Sequence, residues 1–103
     1  MIGVGTGPGI GVDQTASRAT GTTYTNTLGQ KMLVTVTFTA GASDSALSGL
    51  AGTASPPTEE VYLNLVAATY KDTVQFVVPA GHNYRLNNTG SVITIAKWWE
   101  API

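Results

Sequence analysis

Arg18-Ala-Thr-Gly-Thr-Thr-Tyr-Thr-Asn-Thr-Leu-Gly-Gln-Lys-Met-Leu-Val-Thr-Val-Thr-Phe-Thr39 reads as two extended segments around a turn. A short Thr/Tyr strand precedes the turn at Gly29. After it, Met32, Val34, Val36 and Phe38 alternate with Thr35, Thr37 and Thr39. That period of two puts apolar side chains on one face and hydroxyls on the other, the pattern of a half-buried strand and not of a helix.

Outward from this stretch, strands are expected at 22–27, 31–40, 61–70, 73–79, 83–87 and 91–99, separated by turn-forming residues. Short strands with frequent turns indicate an antiparallel sandwich or barrel. Alternation assigns the core to Val34, Val36, Phe38, Val61, Leu63, Leu65, Val74, Phe76, Val78, Leu86, Ile93 and Ile95. The segment 41–60 differs. It is rich in Gly, Ala, Ser and Thr, contains Pro56-Pro57, and reads as a long loop with a turn of helix at 45–50. Lys71-Asp72 and Asn88-Thr89-Gly90 are expected to form hairpin turns, and Ala80-Gly81 to close the strand before it. Leu33, Val66 and Val77 fall on the faces opposite the core, where they would make a patch that a lone monomer should avoid.

The 103 residues form one expected domain, of a size that often gains stability by self-association. Charged residues are 11% of the chain, far below the roughly 25% of an average soluble domain. Arg18, Lys31, Lys71, Arg85 and Lys97 are scattered, and the net charge is −1, which leaves no footprint for nucleic acid or an anionic membrane. The absence of cysteine removes disulfides and thiolate metal sites. No run approaches the roughly 20 apolar residues of a membrane span, and no signal-peptide pattern opens the sequence, so a soluble, non-exported chain is expected.

Glycine at 3, 5, 7, 9 and 11 makes residues 1–15 read as a flexible lead-in. A dinucleotide loop would require glycine at 8, where proline stands, and a strand before it. His82 is the single histidine and has no acidic neighbour in sequence to orient it. A metal on a three-fold axis of such histidines is the one exception, and no metal or other cofactor is expected. Glu59 and Glu60 point to opposite faces if extended, so they are not an acid/base pair, and no enzymatic constellation emerges. Trp98 and Trp99, consecutive on a strand, must also face opposite sides. One of them must therefore be covered by a partner or stand exposed, which makes both candidates for an interface or a ligand site.

Several motifs together resemble the C-terminal tip domain of tailed-bacteriophage tail fibres. They are Ala-Ser-Arg-Ala at 16–19, Gly-Thr-Thr-Tyr-Thr-Asn-Thr at 21–27 with Gly29 and Lys31, Val-Val-Pro-Ala-Gly-His-Asn-Tyr at 77–84, and Ile-Ala-Lys-Trp-Trp-Glu at 95–100. The likeness spans the chain apart from 41–60, and it departs from the family's usual Trp-Ser-Glu ending. It implies an all-β, antiparallel, jelly-roll-like sandwich at 16–103 that forms a homotrimeric knob, with 1–15 arriving from a fibre shaft. The implied place is the fibre tip of a virion assembled in the host cytoplasm. The implied role is attachment to a bacterial surface glycan, such as lipopolysaccharide, or to an outer-membrane protein, without membrane insertion.

On this reading the receptor-binding candidates are Tyr62, Tyr70, His82, Asn83, Tyr84 and Trp98, since aromatic rings beside amides suit a neutral sugar. The trimer-interface candidates are Leu33, Val66, Val77 and Trp99. A structural trimerisation or capping module without its own ligand is the alternative. A polysaccharide-degrading enzyme would need a carboxylate pair among Asp44, Glu59, Glu60 and Asp72.

Overall fold

The computed structural model describes residues 11–40, 45–66, 71–88 and 93–103, and for 40, 45, 46 and 62–66 the backbone alone. Among the described residues, eight strands run in chain order: β1 (Val12–Asp13), β2 (Tyr24–Thr25), β3 (Met32–Ala40), β4 (Ser45–Gly52), β5 (Glu60–Val66), β6 (Lys71–Val78), β7 (Asn83–Asn88) and β8 (Ile93–Pro102). A single 3-10 turn, Thr15–Ser17, follows β1, and there is no α-helix among the described residues. The strands form two four-stranded sheets, ordered β1-β8-β3-β6 and β2-β7-β4-β5, with every pairing antiparallel.

The pairing has a simple rule. β1 meets β8, β2 meets β7, β3 meets β6 and β4 meets β5, as in one long hairpin bent between β4 and β5. Two further ladders, β3 with β8 and β4 with β7, roll that hairpin into two layers.

Period-two alternation places the core as expected on β3 and β6. Met32, Val34, Val36 and Phe38 are buried, as are Val74, Phe76 and Val78. In register, Glu100, Val34 and Phe76 form one inward row, and Trp98, Val36 and Val74 the next. Tyr84, Leu86, Leu47 and Ala51 close the core from the second sheet, with Ile93 and Ile95 partly buried against it. Each large apolar side chain so enclosed stabilises by about 1.5–3 kcal/mol before entropy is charged against it.

The structure corrects several expectations. The segment 41–60 holds a strand, β4, and not a helical turn or a continuous loop. Its signal is weak because beyond Leu47 its inward positions are the small Gly49 and Ala51; a Cβ on Gly49 would lie 2.7 Å from the Phe76 ring. Lys71 and Asp72 begin β6, opposite Thr39 and Phe38, and are not in a turn. Val61 is 48% exposed because it stands at the open start of edge strand β5; the side chains of Leu63 and Leu65 lie outside the description. The first strand shrinks to Tyr24–Thr25, and the sandwich already begins at Val12–Asp13, within the segment read as lead-in.

Candidate functional site

Arg18 lies in the extended chain after the 3-10 turn, and Glu100 sits on the inward face of β8 two residues from Trp98, so both sheets and the N-terminal segment converge on one carboxylate. Glu100 is buried. Its Oε2 accepts hydrogen bonds from Arg18 Nε at 2.9 Å, Tyr84 Oη at 2.6 Å and Trp98 Nε1 at 3.0 Å, while Oε1 accepts from Arg18 Nη2 at 3.1 Å. The Arg18 guanidinium also covers the Tyr24 ring at 4.5 Å. Tyr24 in turn stands 5.7 Å from Tyr84 and edge-on to Trp98 at 6.2 Å, between ring centroids. No buried side-chain nitrogen or oxygen is left without a partner among the described residues.

The buried carboxylate is hydrogen-bonded on both oxygens, so the cluster fastens the N-terminal segment to both sheets. Burial works against the Arg18 charge, but the hydrogen bonds it donates to Glu100, with the neighbouring Tyr84 oxygen, outweigh it and hold the guanidinium more firmly protonated. Burial first, and the adjacent carboxylate second, push the Tyr84 phenol well above its ordinary 10. The unfolded phenol ionises near about pH 10, so the stabilisation from Tyr84 is complete below that and is lost as pH rises past it. Urea midpoints measured between about pH 9 and 11 should therefore fall, and Tyr84→Phe should flatten that fall.

Asn26 forms a second fastening. Its buried amide donates to the carbonyls of Gln30 at 2.9 Å, Val78 at 3.0 Å and Pro79 at 3.2 Å, and its Oδ1 accepts from Leu28 N at 3.0 Å. The backbone of Asn26 pairs with His82 and Gly81 as well. The two turns so joined each need a left-handed residue, supplied by Gly29 at φ 78° and Gly81 at φ 77°.

The receptor candidates therefore separate. Tyr84 and Trp98 are corrections: both rings are wholly enclosed, Trp98 at 0% exposure, because inward parity on β7 and β8 aims them at Glu100. Asn83 is half-buried, and its amide is spent on the Thr53 and Ala54 carbonyls while its Oδ1 accepts from Thr25 Oγ1. His82 is half-buried at a cleft. The Tyr62 side chain and all of Tyr70 lie outside the described residues.

Of the interface candidates, Leu33, Val77 and Trp99 share the outer face of the first sheet. Ala101, Leu33 and Val77 form one row in register, and Trp99, Thr35 and Gln75 the next. Val77 is 42% and Trp99 40% exposed. The Val66 side chain is outside the description. Beside Trp99, Asp13 binds Lys97 at 3.1 Å. Its pKa is held to about 2, chiefly by hydrogen bonds from the Thr15 hydroxyl and backbone and then by Lys97.

At one end of the molecule the edge strands β5 and β6 part around a shallow, open cleft of about 420 Å³. Val61, Val77 and Pro79 make its apolar wall, and Thr53, Glu59 and His82 its polar rim. Among the described residues, no group of three or more His, Cys, Asp or Glu stands close enough to hold a metal ion. Glu100 is the residue that sequence reading missed: the inward parity of Ile93 and Ile95 would turn it outward, and only the register shift opposite Thr37 and Phe38 brings it inward beside Trp98. Comparison with protein-family models, with curated proteins and with solved structures gave no match.

Proposed function

We propose that this chain is the tip domain of a bacteriophage tail fibre, a homotrimeric jelly-roll-like sandwich that attaches the virion to a bacterial surface glycan such as lipopolysaccharide. The observation that carries the reading is the position of the residues behind the resemblance. Arg18, Tyr24, Asn26, Gly29, Pro79, Gly81, Tyr84 and Trp98 all sit in the two fastenings, so part of the likeness falls on positions that hold the fold together. The hairpin rolled into two antiparallel layers supports the jelly-roll part of the proposal.

The outer face of the first sheet supports self-association. Ala101, Leu33 and Val77 run across it, and exposed Trp99 flanks them, on a chain with few charges to keep copies apart. At micromolar concentration, light scattering is expected to give a trimer, and the double substitution Val77→Glu, Trp99→Glu a folded monomer. A wild-type monomer would remove the trimer, and with it the avidity that weak glycan sites need.

One observation favours the alternative of a trimerisation or capping module without a ligand: Tyr84, Trp98 and Asn83 are committed to the fold. Whole-cell binding and a glycan array decide between them, because the module predicts blanks in both from an intact trimer.

A further inference from the structure

The cleft between β5 and β6 combines three features that the fold itself does not use. Neither the Glu59 carboxylate nor the His82 ring has a hydrogen-bond or ion-pair partner among the described residues, although both line the cleft. Among the described residues no lysine or arginine lines it, and Glu59 is the one lining residue that carries a fixed charge. Its floor includes Gly52, where a Cβ would meet nothing within 4 Å and where the backbone is not left-handed, so the space above it is open without any demand of the chain for glycine.

Building on the attachment reading, we propose that this cleft binds an amino-sugar unit of a bacterial surface glycan. Charge complementarity selects the ligand: an ammonium group pairs with Glu59, whereas an anion is repelled and a neutral sugar leaves the carboxylate unanswered. The C–H face of the ring lies on Val61 and Pro79, and ring hydroxyls reach Thr53 and His82. The cleft is shallow, so the far side of its occupant stays in water. A polyol ring tolerates that and an alkyl amine gains little from it. The volume of about 420 Å³ lies within the range of small-ligand sites.

Amide NMR titrations of the assembled protein with glucosamine, glucose, N-acetylglucosamine and butylamine test this. Glucosamine is expected to shift the signals of Gly52, Thr53 and His82 and to bind about tenfold more tightly than the other three, the worth of one charge-assisted hydrogen bond. Glu59→Gln should bring glucosamine to the level of glucose. Gly52→Leu should abolish binding with circular dichroism and melting unchanged; if that variant misfolds, Glu59→Gln alone still decides. Equal affinity for glucosamine and glucose, equal affinity for butylamine, indifference to Glu59→Gln, or no shifts at all would each overturn the assignment. If whole cells are still bound by the trimer in that case, the attachment reading stands and only this site falls.

Discussion

Glu100→Ala is expected to lower the free energy of unfolding by about 3–5 kcal/mol, the cost typical of leaving one half of a buried ion pair behind. The magnitude follows from what remains. The substitution strips the acceptor from Arg18, Tyr84 and Trp98 together, and each of these groups is then left facing the space that the carboxylate occupied. Glu100→Gln keeps one acceptor and is expected to lose less, about 1–3 kcal/mol. Chemical denaturation followed by tryptophan fluorescence at a fixed protein concentration gives both numbers, the concentration being held because association contributes to stability. An alanine variant within about 1 kcal/mol of the parent would mean that water satisfies the three donors and that the cluster is not the fastening described.

Asn26→Ala is expected to cost about 2–4 kcal/mol, because it removes four hydrogen bonds at one buried side chain. Three of them end on the carbonyls of Gln30, Val78 and Pro79, which have to find water or go without. Asn26→Asp separates the two halves of the effect. It keeps the acceptor for Leu28 N but sets a carboxylate against those three carbonyls, so it should destabilise at least as much as alanine. A milder Asp than Ala would contradict the geometry. Amide hydrogen exchange supplies a local readout, with protection at Leu28 and Gly81 expected to fall before protection in β3.

The parts of this fold that could be read beforehand are those where one face is bulky. β3 and β6 declare themselves through Val, Phe and Met at every second position, and both strands lie where expected, to within two residues. β4 does not, because it contributes Gly49 and Ala51 to the interior so that Phe76 can fit; small inward residues carry no periodic signal. The opposed faces of Trp98 and Trp99 were legible from adjacency, but which one turned inward was not. It depended on the register shift opposite Thr37 and Phe38, which reverses the parity set by Ile95, and on Glu100, whose partner Arg18 lies 82 residues away in sequence. Of the candidate recognition residues whose side chains are described, His82 is the one that lines the cleft. Tyrosine and tryptophan suit a sugar surface and a buried polar knot equally well, and composition does not separate the two.

The doubled-back pairing also governs how such a chain can reach its final state. The bend between β4 and β5 joins neighbours in sequence and can form early, whereas β1 waits for β8, at the opposite end of the described chain. Loop-closure entropy is met before those distant contacts repay it, so folding on a millisecond-to-second scale is expected, with the outermost ladder zipping last. During synthesis, the Arg18 side chain emerges 82 residues before its carboxylate partner, leaving the segment around it without its anchor until Glu100 has been made.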